Sequence, residues 1–260
     1  MHITSDTILP NLIYSTPYHY TDDKKTFDLT LYPITMANVL EFSIYKHSIL
    51  VRKNSIFPVK SILKMTYMEF LFYAYENSDL SNEYNMPLLP IYYIFAFELF
   101  RLVFKDQTVE IKTNEGGFRI NGVEIDDEKF DNIRRIIILQ NGIDFDIDEF
   151  IHYDTEKELQ KAQDHLTKNE DTPSLEDYID SICVALHYRE DEVKDMTIRK
   201  FFRYIKRINK LDMFKAYKAA ESSGMVKFKQ PIQYWMNSID KKDKYSDVKT
   251  DTDTIRKMIK

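Results

Sequence analysis

Between Pro87 and Phe104 the chain is hydrophobic nearly all round, and this segment constrains the fold more than any other. A helix that is apolar on every side must be the element the others pack against. Pro90, Glu98 and Arg101 interrupt the stretch, which falls short of the ~20 clean residues a membrane span needs. We therefore assign it to a core helix at the centre of an N-terminal domain. Composition points the same way: aromatic residues make up 14% of the chain and only 5 residues are glycine. Many bulky rings and few flexible joints favour packed helices over a Gly-punctuated sandwich or a Gly-rich phosphate-binding enzyme.

Around that helix the local signals fall in order. Residues 1–26 hold no period for long and predict an extended arm, followed by a short strand over Asp28-Leu29-Thr30-Leu31 closed by Pro33. Thr35 can cap a helix to about His47 with Met36, Val39, Leu40 and Ile44 on its apolar face. Thr66-Tyr67-Met68-Glu69 is a capping box opening a helix to about Tyr75. Residues 108–113 and 117–125 alternate with period two across Asn114-Glu115-Gly116-Gly117, which is a β-hairpin signal. Asp126 then caps a helix carrying Phe130, Ile133, Ile136, Ile137 and Leu139, stopped by Asn141-Gly142.

From about residue 144 the chain turns acidic and polar, with an exposed helix expected at Thr155-Glu156-Lys157-Glu158, and we place a linker over 144–172. Three helices follow: one from Ser174 with Leu175, Ile179, Ile182 and Leu186 on one face, one over Thr197–Ile208, and one from Asp212 to Ser222, stopped by Gly224. The expected organisation is a mixed α+β domain over 1–143, the linker, a helical bundle over 173–237 and a polar tail over 238–260. The fold class is mainly α with a small β element.

The lone cysteine, Cys183, excludes an intramolecular disulfide framework and favours a reducing compartment; its apolar surroundings suggest a buried, inert thiol. No basic region followed by an apolar stretch opens the chain, so a signal peptide is not expected. Asp144, Asp146 and Asp148 alternate like the first ligands of a calcium loop, but Glu149 stands where the loop needs Gly and Thr155 where it needs Glu, so a solvated acidic strand or loop is the better reading. The six histidines show no paired spacing for zinc, and His187, near Glu190 and Asp191, reads as a surface residue at a helix end. Ser222-Ser223-Gly224 follows a helix and lacks the first glycine of a nucleophile elbow. Walker, dinucleotide, kinase and zinc-deaminase signatures are absent. These readings predict no enzyme, no metal and no cofactor.

The net charge of −6 argues against a nucleic-acid binder. Charge is nevertheless uneven, because Arg199, Lys200, Arg203, Lys206, Arg207 and Lys210 follow the acidic stretch at short intervals. With Tyr234 and Trp235 as aromatic anchors, this stripe is the candidate partner-binding surface. Two competing readings are a plain solvated helix face and a DNA-binding helix over 197–208; the acidic, overlong connection His187–Met196 disfavours DNA. Trp235 could equally staple the end of the bundle.

Three segments taken in order carry a family likeness: Tyr32-Pro33-Ile34-Thr35-Met36, then Met65-Thr66-Tyr67-Met68-Glu69-Phe70-Leu71-Phe72-Tyr73, then Ile133-Arg134-Arg135-Ile136-Ile137-Ile138-Leu139-Gln140-Asn141 ahead of a helical tail. With them the chain resembles tail assembly chaperones and related tail-morphogenesis proteins of phages and prophages of Gram-positive bacteria. The resemblance implies a non-enzymatic protein of the host cytoplasm that binds tail proteins, the tape-measure protein among them. It is compatible with self-association and offers no catalytic residues to carry over. A structural component of the tail or baseplate, retained in the virion, is the alternative.

Overall fold

In a computed structural model the described residues are 3–53, 60–77, 87–149, 173–224, 226–228 and 230–239. The expected helix at 155–158, most of the expected linker and most of the polar tail lie outside them. The architecture is α+β: helices dominate, with one two-stranded and one three-stranded antiparallel sheet. Contacts divide the chain into a unit of Met1–Tyr153 with Glu190–Phe201, and a unit of Asp154–Arg189 with Phe202–Lys260.

In the first unit the residues expected to form an arm fold instead into helix α1 (Leu9–Tyr14) and strand β1 (Tyr18–Thr21), which pairs antiparallel with β2 (Asp28–Leu31). The hairpin turn has no glycine to announce it. Asp22 builds it by accepting from the backbone N–H of Thr26 at 2.6 Å and from its hydroxyl, while Lys25 takes a positive φ of 52°. Leu29 and Leu31 point into the core. Two side-chain amides satisfy backbone groups of β2: Gln107 exchanges two hydrogen bonds with Thr30, and Gln140 donates to the Leu31 carbonyl at 3.1 Å.

Thr35 does not cap the next helix with its side chain. It forms a β-bridge with Thr197, and the chain continues through a 3-10 turn into α2 (Val39–Tyr45) and a second 3-10 turn, Lys46–Ile49. Met36 and Phe42 are buried there, whereas Leu40 and Ile44, expected to face inward, are 66% and 51% exposed. The bridge sets the rotation of the segment, and local spacing could not anticipate it. A short helix α3 (Lys60–Lys64) precedes α4 (Tyr67–Glu76), whose capping box forms as expected: the Thr66 hydroxyl accepts from the Glu69 N–H, and the Glu69 carboxylate accepts from the Thr66 N–H.

The central helix is α5 (Tyr92–Phe104), entered through a 3-10 turn over Leu89–Ile91. Its Tyr93, Ala96, Leu99, Phe100, Val103 and Phe104 are wholly buried. Each of the Leu, Phe and Val side chains among them contributes about 1.5–3 kcal/mol on burial. The strand expected over 117–125 is broken at Asn121-Gly122, where both residues take positive φ, as a two-residue hairpin turn demands. The result is a meander of β3 (Val109–Ile111), β4 (Phe118–Ile120) and β5 (Val123–Ile125). One face puts Phe118, Ile120 and Ile125 in the core; the other aligns Glu110, Arg119 and Glu124 across the three strands as an ion-pair ladder. Phe118 sits 5.2 Å from Phe100 and 5.7 Å from Phe130, tying the sheet to α5 and to α6 (Asp127–Gln140). Asp126 caps α6 through the Lys129 N–H, and Gly142 at φ 67° ends the segment.

In the second unit α7 (Leu175–Leu186) opens on a Ser174/Asp177 capping box. His187 closes it in the left-handed region and is exposed, a surface residue at a helix end. Of the face expected to be apolar only Ile182 is buried, and Cys183 is half-buried instead of buried. Helix α8 (Glu190–Asp195) belongs to the first unit. The two helices expected over 197–208 and 212–222 are a single helix, α9 (Ile198–Ser222), and the division between units falls after its Phe201. Asp212 looked like a new cap, but neither Gly nor Pro precedes it, so nothing stops the helix.

Candidate partner-binding site

In the second unit one stripe of α9, with i, i+3, i+4 and i+7 spacing, runs through Lys210, Met213, Phe214 and Tyr217. The chain after Gly224 returns along this stripe. Phe228 lies 5.5 Å from Tyr217, and Tyr234 stands edge-on to Phe214 at 5.6 Å. Between helix and return segment opens a cavity of about 420 Å³, floored by Met213, Phe214 and Tyr217 and walled by Phe228, Gln230, Pro231, Ile232 and Gln233. Its floor remains accessible: Met213 is 53% and Tyr217 42% exposed. Among the described residues of this unit only Ile182 and Ile205 are buried. The unit therefore leaves part of several aromatic side chains, Tyr217, Phe228 and Tyr234 among them, within reach of another molecule.

The return segment is held by cations of α9. Arg207 donates from Nη1 to the carbonyl oxygens of Trp235 at 2.6 Å and Asn237 at 3.0 Å. Lys210 donates from Nζ to those of Asn237 at 3.1 Å and Ser238 at 2.9 Å. The Asn237 N–H bonds the Tyr234 carbonyl, closing the turn that these cations grip. All of these acceptors are neutral, and among the described residues no carboxylate pairs with either cation. Farther along α9, Lys215 pairs with Asp212 at 3.5 Å and Lys218 with Glu221 at 2.8 Å. Among the described residues, Lys215 and Lys218 thus have carboxylate partners, whereas Lys206, Arg207 and Lys210 have none.

Of the residues singled out in the sequence, Arg207, Lys210, Tyr234 and Trp235 meet at this site, and Lys206 stands exposed one turn before Lys210. Trp235 is half-buried and is held through its backbone; its ring lies 6.1 Å from that of Tyr234. Arg203 is half-buried in the same unit. Arg199 and Lys200 belong to the first unit, where Arg199 donates to the Leu12 carbonyl at 2.8 Å and packs over Gly142. The groove-forming Met213, Phe214, Tyr217, Phe228 and Ile232 were not singled out. The continuous helical spacing of the first three was the available signal, obscured by reading a break at Asp212.

In the first unit two of the three aspartates resembling a calcium loop have other partners. Asp148 pairs with Arg135, its Oδ1 accepting from Nη2 at 2.7 Å, and Asp146 Oδ1 accepts the Asp148 N–H at 2.9 Å. Hydrogen bonding to Asp148 holds the Arg135 guanidinium above its ordinary pKa. Among the described residues no helix is long and apolar enough to cross a membrane.

Residues 167–240, which contain α7, α8, α9 and the return segment, match the family model for the YomV second domain, a phage-derived family. The comparisons with curated proteins and with solved structures found no match. The matched stretch is the one that carries the open aromatic groove.

Proposed function

We propose that this chain is a non-enzymatic protein-binding factor of phage tail assembly, acting as a chaperone for a helical tail component such as the tape-measure protein. The observation that carries the reading is the groove on α9, whose Met213 and Tyr217 stay open while the unit around them buries only two side chains among its described residues. An apolar floor with a charged rim is what recognition of an amphipathic segment requires. The phage-derived family matched by residues 167–240 supports the phage setting.

The test is co-purification of the tagged chain from particle-producing cells, with mass spectrometry of the soluble pool and of purified particles. The chaperone reading expects a long helical tail protein to be recovered with it from the soluble pool, and the chain to be missing from particles. Constant stoichiometry in particles would instead establish a structural tail or baseplate component.

A further inference from the structure

The distribution of charge around the groove specifies its occupant more closely, and this inference rests on the protein-binding reading above. Its floor is apolar and aromatic, so it accepts aliphatic or aromatic side chains. At one end, three cations occupy adjacent turns on the same side of α9: Lys206, Arg207 and Lys210. Two of them are anchored to neutral carbonyls and Lys206 is exposed. Toward the other end Lys215 and Lys218 already have carboxylate partners, and among the described residues only Lys227, beside Phe228, adds an exposed cation there, one against three. We propose that the groove takes an apolar segment of a partner protein that carries carboxylates at the end meeting Lys206, Arg207 and Lys210.

The polarity has a physical origin. Arg207 and Lys210 are fixed by the turn they hold, so their charges are preorganised and an incoming carboxylate gains attraction without ordering them first. A lysine-bearing segment would bring like charge to the same place.

The experiment titrates the full chain with two synthetic amphipathic peptides. They share one apolar face of Leu and Phe at helical spacing and differ only in three terminal residues, glutamate in one and lysine in the other. The glutamate peptide should bind about ten-fold more tightly, since each exposed pair is worth a few-fold at most, and the preference should shrink as salt rises. Met213→Asp, at an exposed floor position, should abolish binding of both peptides while leaving the circular dichroism and melting of the chain unchanged. Lys206→Glu should narrow the preference and leave the apolar contact intact.

Equal affinity for the two peptides overturns the inference, as does binding that survives Met213→Asp or displacement of the glutamate peptide by duplex DNA. Recovery of a protein partner from cells together with equal peptide affinities would sink this inference alone and leave the assembly role standing. A glutamate preference with no partner recovered would uphold the groove's chemistry and sink the assembly role.

Discussion

The guanidinium carbon of Arg134 lies 3.3 Å from the centroid of the Tyr67 ring, with both side chains buried in the first unit. The same arginine donates to the Ile49 carbonyl at 2.9 Å and pairs with Asp131. Tyr67 in turn donates its hydroxyl to the Ser48 carbonyl at 2.8 Å and accepts the Val51 N–H at 3.1 Å. Two residues on α6 and α4 therefore satisfy the backbone of the irregular stretch from Ser48 to Val51. Tyr67→Phe should cost about 1–3 kcal/mol, because a buried N–H and carbonyl lose their partner. Arg134→Met should cost about 2–4 kcal/mol, since the Ile49 carbonyl is orphaned and a desolvated cation–π contact is lost. Urea titrations measure both, and a change within about 0.5 kcal/mol for Arg134→Met would place that residue outside the core network.

Burial pushes the Tyr67 hydroxyl up to about 12, and burial does the same for Tyr93. A raised pKa means that the folded state holds the proton after the unfolded chain has released it. The stability from this proton is therefore intact below about pH 10, the unfolded value, and is lost between there and about 12. Ultraviolet titration of tyrosinate should show these two rings ionising only as the protein unfolds. In Tyr67→Phe the alkaline loss should be shallower; an unchanged slope would refute the assignment.

Two glycines with positive φ separate backbone from steric demands. A Cβ at Gly122 would meet nothing within 4 Å, so Gly122→Ala should cost about 1 kcal/mol through left-handed strain alone. A Cβ at Gly116 would lie 2.8 Å from the Phe72 ring, so Gly116→Ala adds displacement of an aromatic side chain and should cost about 1–3 kcal/mol more. Thermal melts of the two variants give the comparison, and equal losses would count against the close approach of Phe72.

Arg207→Ala should release the turn at Trp235 without unfolding α9. Trp235 is the only tryptophan of the chain, so its emission should shift to the red as the return segment loosens, while helical circular dichroism holds. An unshifted spectrum would mean that Lys210 and the Phe214–Tyr234 contact hold the segment unaided.

Signals confined to a few neighbouring residues determined a good part of this protein. Thr66 with Glu69, Asp126, and Ser174 with Asp177 start helices where the sequence predicts, because a cap is a contact between residues three apart. The Pro87–Phe104 segment supplies the core for the same kind of reason, since its apolar residues outnumber what one exposed side, marked by Glu98 and Arg101, can hold. Tertiary structure alone decided what joins distant residues. The bridge of Thr35 to Thr197 rotates the segment that follows Thr35, so that Phe42 is buried in place of Leu40 and Ile44. Gln107 and Gln140 meet the backbone of β2, and Arg207 and Lys210 find the carbonyls of a turn some thirty residues on in the chain. A cation's charge is legible in the sequence, but whether it remains uncompensated depends on which acceptors the folded chain brings to it, and no local pattern encodes that.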